Sequence, residues 1–500
     1  MRRCYDAIAM SKLALFPLLW ALALGQADIS AVVAKAQALA ESGQLTDAQA
    51  VIENGLRDFP NNSDLLFGLG MVYLRERNWE KAINSYKASL NGNPKRVKAL
   101  FYLGEAYFMN SDFQDACETL AEAINVAPNE ATVRQRYGEY LSSRLATRNE
   151  GLEQLQKARQ LNPTLPRIDF DIGKTQFDLT DFQSAAGSFD TELRKNPGNG
   201  EAAFFLAEAN TKVGNWQNAR EAYNYALTHG YLEGAAYYGL GRTLVELGDF
   251  SASLVPLSRA LALQPSIYQA RFQLGRAYRQ LGRADDAQRE IKLFNAMSGR
   301  VNTVQEARGP ELEDAWKHVK PLLAEHKEQQ ALEWLTKVAA VDPSNPQNPS
   351  YLLGEMYFTL ERYGDAKRVL MAARNLASDN AHIAAYLGIV QLASGEVDSA
   401  EQSLRSALTL DAAEPLALIG MGGIRYRQER WADAVTYLEQ SRTADPDTLL
   451  LLCDADFRIG KQEDALLTAE VIRAFAADQP AILKALDQLL KRYSSSKPHP

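Results

Sequence analysis

"LFGLGMVYLRERNWEKAINSY" runs from Leu66 to Tyr86 and carries two glycines, Gly68 and Gly70, inside an otherwise strong helical pattern. An interior glycine costs a helix about 1 kcal/mol relative to alanine. Leu66, Leu69, Gly70 and Tyr73 nevertheless fall at the i, i+3, i+4, i+7 spacing of one helical face, and Ala82, Tyr86 and Leu90 make a second such stripe. The stretch reads as two amphipathic helices, with glycine kept where something must approach closely.

Moved along the chain by 34 residues, the same stretch returns. Gly70 is followed by Gly104, Gly138, Gly173 after a one-residue slip, Ala207, Gly241 and Gly275, and after an insertion by Gly354, Gly388 and Gly422. A small residue recurs twelve positions on, at Ala82, Ala116, Ala185, Ala219, Ala287, Ala366, Ala400 and Ala434. Prolines such as Pro94, Pro128, Pro197, Pro265 and Pro343 close many units, where a helix cannot continue. An aromatic opens most second helices, from Trp79 and Phe113 to Tyr363 and Trp431. Gly43, Gly214, Gly248, Gly282, Gly395 and Gly460 stand between the two helices, where the chain is expected to leave the first helix through positive φ.

On these residues the chain closely resembles the tetratricopeptide repeat family. The pattern stands as Leu66, Leu69, Gly70, Tyr73, Ala82, Tyr86, Ser89, Pro94, and again as Leu100, Leu103, Gly104, Tyr107, Ala116, Leu120, Ala123, Pro128. The resemblance implies an all-α, right-handed α-solenoid of about 13 helix-turn-helix units between Ile29 and Asp478. Gly70 and Ala82 are then expected where the two helices of a unit cross. Two units depart from the pattern: Gly151 stands near the usual alanine of one, and Val319 replaces the glycine of another. "NAMSGRVNTVQEARGPE", Asn295 to Glu311, breaks the phase. The expected organisation is a first block over 28–295, a joint over 296–310, a second block over 311–478, a capping helix over 479–493 and a disordered tail over 494–500. The cap has Ile482, Leu483, Leu486, Leu489 and Leu490 on one face, as the open end of an array requires.

The first 27 residues read as a separate object. Arg2, Arg3 and Lys12 precede the apolar run "LALFPLLWALAL", Leu13 to Leu24, and "GQA" follows, the three-part pattern of a secretory signal peptide. The run is too short to span a bilayer, which takes about 20 residues. Its removal withdraws a net +2 and takes the formal charge from −8 to −10. That acidic balance argues against nucleic acid as a partner. Of the three cysteines, Cys4 leaves with the signal, and Cys117 and Cys453 are expected as free, buried thiols. The expected location is the periplasm or envelope of a bacterium, with no transmembrane segment in the mature chain.

No catalytic constellation, metal set or cofactor motif emerges, so a non-enzyme is expected. "GMGG", Gly420 to Gly423, contains the repeat's own crossing glycine and follows no strand. His318 and His326 stand eight apart on one helix, not at metal-pair spacing.

An array of hairpins instead offers a concave surface of first helices. At position 5 of successive units stand Phe67, Phe101, Phe170, Phe204, Tyr238, Phe272 and Tyr351. Position 12 adds Phe108, Phe177, Phe358 and Tyr426. Two readings stand together: rings that pad contacts between inner helices, or an anchoring track for an extended ligand. "RFQLGRAYRQLGR" places Arg276, Arg279 and Arg283 on one strip, with Arg242 a unit earlier, as a candidate anion anchor or a solvated charge run. The leading expectation is a scaffold holding protein or peptide partners in its groove. A glycan-handling scaffold of polysaccharide secretion is the neighbouring reading, since such periplasmic repeat proteins look like this. An enzyme subunit with a site at the 295–311 joint is the alternative class.

Overall fold

The computed structural model describes residues 29–110, 112–300, 318–319, 321–322, 327–341 and 350–495. The signal-like segment, most of the joint, His326 and residues 496–500 lie outside them. The described residues are helical hairpins without strands. The chain divides into two compact units, 1–215 and 216–500.

In the first unit, α1 covers residues 29–41. It is followed by α2 Leu45–Asp58, α3 Ser63–Arg75, α4 Trp79–Gly92, α5 Val97–Met109, α6 Phe113–Val126, α7 Ala131–Ser142, α8 Arg148–Leu161, α9 Ile168–Asp178, α10 Phe182–Lys195 and α11 Gly200–Lys212. The second unit has α12 Trp216–Thr228, α13 Gly234–Glu246, α14 Phe250–Leu263, α15 Gln269–Gln280, α16 Ala284–Met297, α17 Glu328–Val341, α18 Ser350–Thr359, α19 Tyr363–Leu376 and α20 Ala381–Ala393. It ends with α21 Val397–Leu410, α22 Pro415–Arg427, α23 Trp431–Gln440, α24 Pro446–Arg458, α25 Gln462–Phe475 and α26 Pro480–Ser495. Side-chain caps start several of them: the Asn62 Oδ1 accepts from the Asp64 and Leu65 amides at 3.0 Å each, and Asp445 accepts from Thr448 at 2.9 Å.

The hairpin turns answer the glycine expectation directly. Gly43, Gly214, Gly248, Gly282, Gly395 and Gly460 all have φ between 75° and 83°. Where a hairpin lacks that glycine, Arg77, Thr180, Glu361 or Glu429 is forced into the same left-handed region, with φ from 57° to 64°.

The crossing glycines face the large side chain of the second helix. A Cβ on Gly70 would stand 2.5 Å from the Tyr86 ring, and one on Gly104 2.8 Å from Leu120 Cγ. Gly173 opposes Phe189, and Gly241, Gly275, Gly354, Gly388 and Gly422 oppose Leu257, Ile291, Leu370, Leu404 and Leu438 in the same way. The conserved-spacing alanine supplies its backbone instead: the Ala116 carbonyl lies 3.4 Å from the Cβ that Gly104 lacks. Gly151, the anomaly of its unit, takes the alanine's place so closely that a Cβ there would meet the Gly138 carbonyl at 2.7 Å. In the last hairpin Cys453 occupies the glycine's place, its Sγ 3.3 Å from the Ala465 carbonyl, and the facing residue shrinks to the buried Ala469. Both Cys117 and Cys453 are buried and free. Val319 is fully buried beside Leu335.

At the C-terminus, Leu486 and Leu489 of α26 enter one cluster with Leu449, Leu452 and Ile472, and Ile482, Leu483 and Leu490 pack along its edge. This face closes the end of the last hairpin. Ser494 and Ser495, expected in the tail, still belong to α26.

Candidate functional site

The first helices of the first unit adjoin one another, α3 against α5 and α7 against α9, and so share a surface. A cavity of about 670 Å³ opens there between α1, α3, α5 and α7. The second glycine of the opening stretch makes room for it. Gly68 faces not the partner helix of its own hairpin but the preceding α2, where an added Cβ would stand 3.3 Å from Ile52 Cδ1. One repeat later the same place holds Tyr102, which walls the cavity beside Phe101. Val33, Ala36, Ile52, Met71 and Val72 supply most of the remaining apolar lining. Phe67 stands between the rings of Tyr86 and Tyr102, at 5.7 and 5.9 Å between centroids.

The rim is cationic. Arg96 lies 4.2 Å above the Phe67 ring and is held by Asp64 at 2.5 Å. Arg75 and Lys98, both exposed, also line the cavity and make no ion pair among the described residues. Glu130 is the one carboxylate in the lining. Such a pocket can take a large apolar side chain and favour negative charge beside it.

The neighbouring first helices carry a polar network. Arg136 bridges Glu105 at 2.7 Å and Glu139 at 2.6 Å. The Tyr140 hydroxyl donates to Glu105 at 2.7 Å, while its ring stacks on Phe108 with centroids 3.8 Å apart. Burial pushes the Glu105 carboxyl up despite the tyrosine and arginine. Burial, then the Glu139 charge, pushes Asp171 up to about 7. Gln135 donates to Asp171 at 2.7 Å and to the Pro166 carbonyl at 2.9 Å.

Of the aromatic series, the cavity brings together Phe67 and Phe101. Phe204 is half-buried, edge-on to Phe205. Phe170 and Tyr351 correct the expectation of a continuous track: they are 5% and 3% exposed and belong to the core. Phe170 turns inward because Phe189 and Phe205 offer it an apolar socket, at 5.7 and 5.8 Å. Tyr351 turns in against His382 and Tyr386. Among the position-12 rings, Phe177, Phe358 and Tyr426 pack on the opening aromatic of their own second helix, Phe182, Tyr363 and Trp431, which is the padding role.

In the second unit Tyr238 is half-buried beneath Arg242, whose guanidinium lies 5.6 Å from the ring. Phe272 is 40% exposed and leans on Phe294. Arg276 is satisfied by Glu246 at 2.6 Å, and Arg283 by Asp286 at 2.7 Å. Arg242 and Arg279 make no ion pair among the described residues, so the anion strip reduces to these two. His318 stacks on Trp334 at 4.2 Å. Gly420 and Gly422 lie inside α22 against Leu404 and Leu438, as packing residues.

Sequence reasoning singled out Gly68 without giving it a role and missed Met71, Arg75 and Lys98. The available signal was the second glycine itself, at a place where other repeats carry Tyr102, Phe205 or Tyr386, although Gly239 and Gly420 share it and there meet Tyr223 and Leu404.

Among the described residues, no group of three or more His, Cys, Asp or Glu is placed to hold a metal ion, and no helix is long and apolar enough to cross a membrane.

A model of the family described as Tetratricopeptide repeat matches residues 33–90, 70–131, 170–236, 212–260, 238–291 and 351–415. Cellulose synthase operon protein C of Komagataeibacter xylinus is 23% identical over 351 residues, covering 68% of this chain and 23% of that protein. The protein of the same name from Komagataeibacter sucrofermentans is 22% identical over 374 residues, covering 73% of this chain and 24% of that protein. The chain thus spans about a quarter of the length of these curated relatives. The crystal structure of PilW, described as a widely conserved type IV pilus biogenesis factor, aligns at 22% identity with a TM-score of 0.36, over 40% of this chain and 92% of that one.

Proposed function

The chain belongs to the tetratricopeptide repeat family, and on that premise we propose that it is a non-catalytic scaffold that grips a protein segment in the α1–α3–α5–α7 cavity. The cavity carries this reading: an apolar recess on the first-helix surface, walled by Phe67 and Phe101 and rimmed by Arg75 and Lys98. The partner that fits presents a large apolar side chain flanked by acidic residues. The signal-like N-terminal segment supports action in the periplasm or envelope, and the bacterial source of the cellulose synthase operon relatives supports a bacterial setting. No cofactor enters this function.

The test is crosslinking in the native envelope with the full chain, then capture by Phe67→Ala with Phe101→Ala and, separately, by Arg75→Glu with Lys98→Glu. Each pair is expected to weaken capture of one and the same protein by about tenfold or more, as loss of a central anchor does. Unchanged capture by both folded variants sinks the reading.

A second reading is favoured by the similarity to cellulose synthase operon protein C: the surface handles a glycan. Calorimetric binding of cello-oligosaccharide, abolished by the aromatic pair and untouched by the charge pair, would select it. Intrinsic hydrolase or transferase activity on envelope substrates would replace both with an enzyme subunit.

A further inference from the structure

In a hairpin array each end-face is ordinarily covered by the next hairpin in sequence. One end-face of the second unit is covered from far away. Met297, at the end of α16, is fully buried in one cluster with Val435 and Leu438 of α23, Leu449 and Leu452 of α24, and Ala469 and Ile472 of α25, the helix that α16 packs against. Tyr268 joins the same cluster from the N-terminus of α15. Arg300 donates through Nε to the Ala296 carbonyl at 2.6 Å and through Nη1 to the Thr443 carbonyl at 3.1 Å, joining positions 143 residues apart.

Two features set this seam apart from the joins between successive hairpins. It takes in a half-buried guanidinium, Arg300, whose charged form burial disfavours more than the nearby Glu439 charge favours it, and whose hydrogen-bond partners are neutral carbonyls. Separation would return that cation to water, so the seam is held less tightly than an apolar one of equal size. The seam also gapes. Between α16 and α25 lies an open groove of about 840 Å³ with Arg289, Lys292 and one acid, Asp285, on one wall and Glu463, Asp464 and Glu470 on the other. Among the described residues no ion pair spans it. The α25 wall is acidic, with Glu470 held by Arg473 of the same helix at 2.8 Å, and it faces the net positive α16 wall without touching it.

We propose that this seam is a reversible clasp: the α24–α25 hairpin docks on and leaves the end of α15–α16, and the facing charged walls bias the clasp toward the closed form. Opening uncovers Met297. This inference stands independently of what the first unit binds.

The test places spin labels on Gln288→Cys and Leu466→Cys in the full chain carrying Cys4→Ser, which removes the third native thiol. Both sites are exposed, whereas Cys117 and Cys453 are buried and escape labelling. Pulsed dipolar spectroscopy is expected to resolve a short and a long distance, with the short one favoured at low salt. Arg289→Glu with Lys292→Glu makes both walls acidic and is expected to raise the long-to-short ratio about threefold or more. Adding Glu463→Lys with Asp464→Lys should bring the ratio back. A single distance that ignores salt and charge reversal overturns the proposal. Met297→Asp provides a second arm: with helicity retained it should favour the long distance, and a folded Met297→Asp protein that keeps the short one also overturns it. These surface charge variants keep the test decisive if Met297→Asp fails to fold.

Discussion

At the scale of single residues, glycine does three different things in this chain. At Gly43 and its counterparts it supplies a left-handed turn. At Gly104 it removes a side chain that Leu120 would strike. At Gly68 it leaves a hole. The first two uses are testable by stability. Gly104→Ala forces a Cβ to within 2.8 Å of Leu120 Cγ and is expected to cost about 1–3 kcal/mol, with Gly104→Leu costing more. Pairing Gly104→Ala with Leu120→Ala reproduces the Cys453–Ala469 arrangement, so a double-mutant cycle by urea unfolding should give a favourable coupling. Additive costs would contradict the crossing geometry. Thr180 tests the turn from the other side. It is β-branched, exposed and held at φ 64°, so Thr180→Gly is expected to stabilise by about 1 kcal/mol, read as a higher urea midpoint.

At the scale of helices, the repeat made the hairpins legible because apolar periodicity, caps and turn residues act within a few positions of one another. The orientation of an aromatic at position 5 was less so. Its ring stands at the margin of the apolar stripe, and whether it turns in depends on a socket built by other helices. Phe170 finds one in Phe189 and Phe205, whereas Phe272 remains 40% exposed. The polar network across α5, α7 and α9 was invisible for the same reason: Glu105, Arg136, Glu139 and Asp171 look like ordinary solvated charges until the helices meet. It predicts a pH dependence. The folded-state Asp171 carboxyl is pushed up to about 7 from an ordinary 3.8. The folded chain therefore holds an extra proton between those values, and the stability it contributes at low pH is lost as pH rises through about 7. Asp171→Asn keeps a hydrogen-bond donor and removes the charge. It is expected to flatten the fall in stability between about pH 4 and pH 7 and to stabilise the protein above about pH 7. Urea melts at stepped pH check both signs, and a slope unchanged by the substitution would remove Asp171 from the account.

At the scale of the whole molecule, hairpins touch mainly their neighbours, so damage should stay local. In hydrogen exchange read by mass spectrometry, Gly104→Leu is expected to speed exchange across α4–α7 while α20–α23 keep their protection. Equal loss in both regions would mean a single cooperative core. The sequence on its own determined the hairpin, its period, its crossing glycines, its left-handed turns and its apolar C-terminal helix, because each rests on residues at fixed short separations. Only the tertiary structure decided that a cavity opens beside Gly68, that Phe170 and Tyr351 leave the surface, and that Met297 is sealed in one cluster with α23, α24 and α25. Those outcomes depend on what faces a residue from another helix, and the partner of Arg300 is a carbonyl 143 positions away, a distance no repeat period encodes.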